Sequence, residues 1–409
     1  MKMNILKTFL LACLLPALLN TLTYAQEETI KIGFVGDFSA VSKDYTSNMY
    51  NAAQMAVSEF NKAGGFSGKT IKLIRRDGGN DPQRHYDHTT TLGRKDKVVA
   101  IFGGASTPCV LKASIASKAQ QIPYLVSIGN SQSIVVENGH PYVFLFQPNL
   151  WMETKAFSIF VSLLPWQRYA WIGPDYSWGH GVLRNFKQHF EEIGTPIKWT
   201  TEAWHKVGTT DYVAVVQKIL DGNPDALVIG SWGEDVRHFT AQAKSHGLFD
   251  KMAVFGWFTY NMTGDMGRMV PEGMWNLARG GPFNHLADKF PLAERFVEKF
   301  VEQFGEYPNG YTISCYDSLI AWRQAVKNAK SANPIAVAKT LKGLTYDGLR
   351  GISFIRAVDG QMNCPIYFGR LTFVSKYPFA VWKSVIEVQA KNTWLPGEEV
   401  LSRRTKPPS

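Results

Sequence analysis

The stretch Phe102–Val110, FGGASTPCV, sets two glycines and a run of small residues ahead of a proline, the composition of a loop that opens a helix. Such loops hold anions, because the first N–H groups of a helix lack intrahelical partners and the helix dipole is positive there. Both nucleotide fingerprints fail: the Lys of GxxxxGK[ST] is missing, and so is the spacing of GxGxxG. A carboxylate suits the loop as well as a phosphate, with Ala105 and Ser106 as contacts and Ser106 or Thr107 as cap ahead of Pro108. The competing reading is a tight strand-to-helix turn with an ordinary cap. A second polar loop, Val126–Ser133 (VSIGNSQS), offers Ser127, Asn130 and Ser131 as donors to the same anion.

Aromatic residues gather in three later loops: Tyr176 and Trp178 in DYSWGHG, Trp232 in GSWGED, and Trp257, Phe258 and Tyr260 in GWFTY. Each follows an expected strand, so all belong at one sheet edge, where they suit stacking on an organic ligand; burial in packing is the alternative. Catalytic patterns are missing, since no G-x-S-x-G elbow or H-E-x-x-H is present. His180 stands in one of the loops as a hydrogen-bonding contact rather than a base. His85 and His88 share helical spacing and read as a solvated helix face, not a metal site. No metal and no cofactor is expected.

These loops need elements to hold them. Residues 30–35 form a short apolar strand ending at Gly36-Asp37, and Met49, Ala52, Ala53, Ala56 and Phe60 then recur at helical spacing. Further strands are expected at 71–74, 98–102 and 123–127, with a helix over 108–120. A second series places strands at 169–172, 197–201, 226–229 and 252–257, separated by helices over 181–193, 211–220 and 235–245. The two series open alike, with Gly36-Asp37-Phe38-Ser39 and Gly173-Pro174-Asp175-Tyr176-Ser177. Strands alternating with helices form a parallel sheet covered on both faces, and two series mean two similar α/β lobes. After Gly280, helices are expected over 291–304, 311–329 and 334–341, and strands over 352–355, 365–374 and 381–388. The charged end, 403–409, reads as flexible.

Residues 1–25 read as a secretory signal peptide: Lys2 and Lys7 precede an apolar run, and Thr23-Tyr24-Ala25 offers small residues for cleavage. Leu10-Leu11-Ala12-Cys13 is a lipoprotein alternative, although cleavage there would leave Leu14–Leu19 exposed. No later stretch reaches the ~20 apolar residues of a spanning helix. The formal charge of +10 falls to +8 without Lys2 and Lys7, and the basic residues are scattered, so nucleic acid is not an expected partner. Cys109, Cys315 and Cys364 remain after the leader, an odd number with no CxxC spacing.

The ordered run of motifs resembles the type I periplasmic substrate-binding proteins, in the branched-chain amino acid (Leu/Ile/Val) family of ABC transporters. The carriers include IKIGFVGDFSA, NAAQMAVSEFNKAGG, DGGNDPQR, VVAIFGGAST, QIPYLVSIGNS, DYSWGHGVLRNF, PDALVIGSWGEDVRHFTAQAKSHG and YTISCYDSLIAWRQAVKNA, spread over residues 28–375. The resemblance implies two Rossmann-like lobes linked by three crossovers and closing on a ligand. Lobe I would be 27–148 plus 280–349, lobe II 152–276 plus 353–390, and 391–409 a flexible tail.

It also implies a monomeric, periplasmic solute-binding protein that is not an enzyme and delivers a small organic ligand to a membrane-embedded ABC permease. A sensor on the same fold and an exported hydrolase are the alternatives. In the family the loops at Ala105–Ser106 and Ser127–Ser131 hold the ligand carboxylate. The family's acidic residue for the ligand ammonium is missing after the strand at 252–256, where Trp257 and Phe258 stand instead. An aromatic or aliphatic carboxylate, or an amide, therefore fits better than a branched-chain amino acid, unless Glu234 or Asp235 replaces that residue. A disulfide of some members would need a Cys near Asn80, so Cys109 is expected to be free.

Overall fold

The computed structural model describes residues 29–40, 42–104 and 106–405. The leader, Cys13 and Ala105 lie outside the described residues. The chain runs through β1 (Ile30–Gly36), α1 (Lys43–Lys62), β2 (Ile71–Asp77), α2 (Pro82–Arg94), β3 (Ile101–Gly103), α3 (Thr107–Gln120), β4 (Tyr124–Val126) and β5 (Val143–Leu145). It crosses into α4 (Leu150–Val161), β6 (Arg168–Pro174), α5 (Ser177–Ile193), β7 (Lys198–His205) and α6 (Val213–Asp221). Then come β8 (Ala226–Ile229), α7 (Gly233–Ser245), β9 (Ala253–Gly256), α8 (Tyr260–Met266) and β10 (Trp275–Ala278). It returns through α9 (Phe283–Lys289), α10 (Pro291–Phe304), α11 (Gly310–Ala329), α12 (Pro334–Leu341) and the hairpin β11 (Thr345–Gly348) and β12 (Gly351–Phe354). Last are β13 (Ile366–Phe373), β14 (Ala380–Val388) and α13 (Gly397–Thr405).

The two main sheets repeat one plan. The first has the order β2-β1-β3-β4-β5, with every pairing parallel. The second reads β7-β6-β8-β9-β10 and is extended by β13 and β14, both antiparallel to their neighbours. The shared Gly-Asp-type openings therefore sit at equivalent places, the carboxyl ends of β1 and β6, beside the point where strand order reverses. In open α/β sheets ligands settle at that reversal. Strands covered on both faces carry unbroken apolar runs, and all four residues of β8 are fully buried. Under α4 the second sheet is packed with rings, Phe160 stacking on Phe368 at 4.4 Å.

Two crossovers and the β11–β12 turn meet at α11. Gln147 donates to Gly310 O (3.1 Å) and to Ser314 Oγ (2.9 Å). Gly280 takes φ +71°, and a Cβ on Gly310 would stand 1.5 Å from Arg279 O, so only glycine allows this approach. Arg350 donates to Gly280 O (2.8 Å) and Ser314 Oγ (2.6 Å) and pairs with Asp317 at 2.5 Å.

A fourth crossing was not expected from the composition. The segment expected to be flexible is structured up to Thr405: Leu395 and Val400 enter the first lobe's core with Val135 and Val136. Arg404 donates to the carbonyls of Val135 (2.7 Å), Val136 (3.1 Å) and Val358 (2.8 Å). One apolar anchor and one guanidinium filling three carbonyls order a stretch whose charge content suggests a solvated end. Residues 406–409 lie outside the described residues.

On β14, Glu387 accepts from His285 (2.9 Å) and Lys289 (2.5 Å) of α9. The His285 hydrogen bond, against the opposing effect of burial and with help from Lys289, lowers its pKa from 4.5 to about 2. A carboxyl whose folded value is depressed stabilises above its unfolded value and loses that contribution as pH falls through the folded one. Glu387→Gln will therefore flatten the loss of stability between about pH 4.5 and 2, read by urea unfolding at stepped pH; an unchanged slope would remove this pair from the acid response.

Candidate ligand-binding site

The opening motif folds as a strand end and a helix start. Gly103 and Gly104 have φ of +107° and +97°, and a Cβ on Gly103 would lie 2.4 Å from Val35 O. Ser106 is the N-cap residue of α3 in an extended conformation, with Thr107 and Pro108 in the first turn. Its hydroxyl does not cap; the exposed Oγ donates to Asn80 Oδ1 at 2.7 Å.

The same holds at every helix start beside the two reversals. Helices α1, α3, α5 and α7 follow β1, β3, β6 and β8, and none has a side-chain cap. Asp81, Asn149 and Thr259, by contrast, cap α2, α4 and α8, which begin away from the reversals. Four positive helix ends are thus left for other partners at the carboxyl edges of the sheets.

Tyr176 and Trp232 occupy the N-cap positions of α5 and α7 and are 38% and 37% exposed. Burial raises the Tyr176 phenol, opposed by its hydrogen bond with Trp232 and by the charge of Arg279. Trp178 stacks on Tyr176 with ring centroids 6.4 Å apart.

Arg279, which no motif announces, directly follows β10. Its Nε lies 2.7 Å from Glu153 Oε1 on α4, and its Nη1 is 3.5 Å from Tyr311 Oη on α11. Glu153 is fully buried and also accepts from Asn130 Nδ2 at 3.2 Å, whereas the Arg279 side chain is 18% exposed. Burial works against the guanidinium charge, but Glu153 and Tyr311 outweigh it and raise its pKa further. A hollow open to solvent borders Arg279, Tyr311, Asn309 and the loop Trp257–Tyr260. At its edge the lobes touch: Asn48 of α1 donates to Tyr260 Oη at 3.3 Å. Tyr45 of α1 bonds with Thr259, its phenol pushed up to about 12 by burial and by Tyr311.

The remaining expected contacts are differently placed. Ser127 is fully buried with its hydroxyl toward Cys315 of α11. Ser131 caps the short helix 132–134, accepting from Ser133 N. The Trp257 ring stacks on Phe157 and Phe186 at 6.0 and 5.9 Å, inside the second lobe's core. Phe258 is 1% exposed, and Asn276 holds its N–H and carbonyl at 2.7 Å each. Both still border the hollow. Asp235 accepts from Gly208 N at 2.8 Å, and Glu234 faces Arg237 at 3.4 Å. His180 bonds Asp175 at 2.8 Å and lies 4.0 Å from the Trp204 ring.

The histidine pair corrects an expectation. His85 is fully buried against Asp37 at 2.7 Å, and His88 bonds Asp77 O at 3.0 Å. Their spacing put them on a helix face that packs inward through His85, Thr89 and Leu92. Cys109, Cys315 and Cys364 are buried and free.

Residues 29–376 match the family model described as "Periplasmic binding protein". The chain belongs to that family. A relative from Brucella abortus, "Leu/Ile/Val-binding protein homolog 4", is 24% identical, the match covering 84% of each chain. A solute binding protein of an ABC transporter from Rhodopseudomonas palustris, solved in complex with 3,4-dihydroxy benzoic acid, has a TM-score of 0.78 at 20% identity. That likeness covers 90% of this chain and 99% of the other. A branched-chain amino acid transporter substrate binding protein from Streptococcus pneumoniae, solved with isoleucine, has a TM-score of 0.73 at 20% identity, over 88% and 100% of the two chains. The two-lobed fold is that of type I periplasmic binding proteins. As a member of the periplasmic binding protein family, the chain is a binding protein.

Proposed function

We propose that the solute is a small organic carboxylate with an apolar or aromatic body and no α-ammonium group. The observation that carries this reading is Arg279, charged and partly exposed at a hollow it shares with Tyr311 and the loop Trp257–Tyr260. The uncapped start of α3 supports it as a second anchor, with Ser106 nearest to the anion and Asn130 behind Arg279 through Glu153. Carboxylates on the reversal loops are already engaged: Asp37 with His85, Asp175 with His180, Glu234 with Arg237 and Asp235 with the Gly208 amide. A ligand ammonium paired with one of these four carboxylates would have to displace the partner it already has, which is costly. The R. palustris protein holding 3,4-dihydroxy benzoic acid exemplifies this ligand class on the same fold.

Uptake then follows from lobe motion, with the unit built on the first sheet, the β11–β12 hairpin included, and the unit built on the second sheet moving against each other. Ligand touching both units favours their closed arrangement, which the permease reads. The protein acts as a monomer in the periplasm, exported by the leader 1–25.

Calorimetric titration of the purified protein tests the ligand class with a matched pair, leucine and 4-methylpentanoate, which differ only by the α-ammonium, and with 3,4-dihydroxybenzoate. The carboxylates are expected to bind at least about tenfold more tightly than leucine, and Tyr176→Ala or Trp232→Ala to weaken them by about 1–2 kcal/mol. Tight leucine binding with none of 4-methylpentanoate would overturn the reading. Equal affinity in wild type, Ser106→Ala and Trp232→Ala would move the site elsewhere.

A further inference from the structure

Behind the Ser106 loop lies a second set of chemical groups. Asp37 at the end of β1, His85 on α2 and Cys109 on α3 are each fully buried, and one donor atom from each lies within 4.8 Å of the others. His85 Nε2 shares a proton with Asp37 Oδ1 at 2.7 Å. His85 Nδ1 is buried without a hydrogen-bond partner of normal geometry, and Cys109 interacts with the same ring. Asn80 completes the group: its Oδ1 stands 3.7 Å from Cys109 Sγ, its N–H donates to Asp37 Oδ1 at 2.7 Å, and its φ is +57°. No element of solute recognition described above uses His85 or Cys109.

We propose that Asp37, His85 and Cys109 form a buried site for a thiophilic divalent cation, with Asn80 Oδ1 as the fourth donor. Metal–donor distances of ~2.0–2.3 Å in a tetrahedral site put neighbouring donors about 3.4 Å apart, so the trio needs small adjustments rather than refolding. The ion replaces the proton between His85 and Asp37 and the thiol proton of Cys109. A thiolate, a carboxylate, a neutral imidazole and a divalent cation sum to zero charge, so the dry surroundings need supply no further counter-ion. Sulfur and imidazole together select Zn²⁺ or Co²⁺ over Mg²⁺ and Ca²⁺. The covering loop is Gly78-Gly79-Asn80; a Cβ on Gly78 would fall 2.0 Å from His85 Nε2, so this cover fits only without a side chain.

The test uses the full-length exported protein after chelator treatment, with Co²⁺ and Zn²⁺ alone as probes. One Co²⁺ per chain is expected, with a sulfur-to-cobalt charge-transfer band and the strong visible absorption of four-coordinate cobalt, both removed by Zn²⁺. Cys109→Ala, a small change in a helix, is expected to abolish the charge-transfer band and weaken Zn²⁺ at least about 100-fold; Cys315→Ala is expected to keep both. Failure of the wild-type protein to bind stoichiometric Co²⁺ would overturn the site whatever the variants do. So would a charge-transfer band that survives in Cys109→Ala.

Discussion

Arg279→Met will abolish solute binding and also destabilise the protein by about 3–5 kcal/mol, because it strands a buried carboxylate. Glu153 is fully buried, and its remaining partner is the neutral amide of Asn130. The two effects separate in the double variant Glu153→Gln/Arg279→Met. The glutamine still accepts from Asn130 and leaves no charge behind, so stability returns to within about 1 kcal/mol of wild type. Binding stays lost, since the cation facing the cleft is still missing. Denaturant unfolding and calorimetry on the same three proteins check this. If Arg279→Met bound carboxylates as wild type does, Arg279 would be a structural partner of Glu153 and nothing more.

Arg350→Met is the second large effect, again about 3–5 kcal/mol, from the fully buried Asp317 it would leave uncompensated. Its position adds a consequence for cooperativity. The guanidinium joins Gly280, Ser314 and Asp317, and Ser314 in turn holds Gln147, so the β11–β12 turn and two of the crossovers are tied to one face of α11. Asp317 Oδ1 also accepts from Leu349 N at 2.6 Å. Thermal unfolding of Arg350→Met is expected to shift down and broaden as the lobes lose their common tie. Arg350→Lys is expected to recover little of this, because one ammonium cannot serve three acceptors set for a planar fork. A sharp transition near the wild-type temperature in either variant would show that the crossovers are held by other contacts.

Much of the fold was legible because burial leaves a period behind. The strands of the two series and the helices α1, α3, α5 and α7 stand within a few residues of their sequence-based positions. What escaped had no period to leave. β5 spans Val143–Leu145 and β10 spans Trp275–Ala278, short runs that the strand–helix alternation of the two series did not single out. Helix α4 buries Trp151, Met152, Glu153, Thr154, Ala156 and Phe157 in succession, so it shows no polar face.

The site divides along similar lines. The places of Ser106, Tyr176 and Trp232 at helix starts were visible because they depend on local order, a strand end followed by a helix start. Ser127, Trp257 and Phe258 carry the right chemistry on the right loops, but their side chains turn inward, a choice made by packing against α11, α4 and α5. Arg279 and Glu153 meet only through tertiary structure, and no spacing in the chain links them. His85 misled for a related reason: helical spacing to His88 says which face the two share, and nothing about what covers it.

The last helix alters how the molecule carries load. The described chain enters on the first sheet at Ile30 and, by way of α13, finishes on the same lobe, gripped there by Arg404. The second lobe is therefore a double insertion with no free end of its own. Tension applied through both ends of the chain passes within the first lobe and never spans the cleft. A molecule held at either end, by an anchor or by a surface tag, keeps its second lobe free to swing.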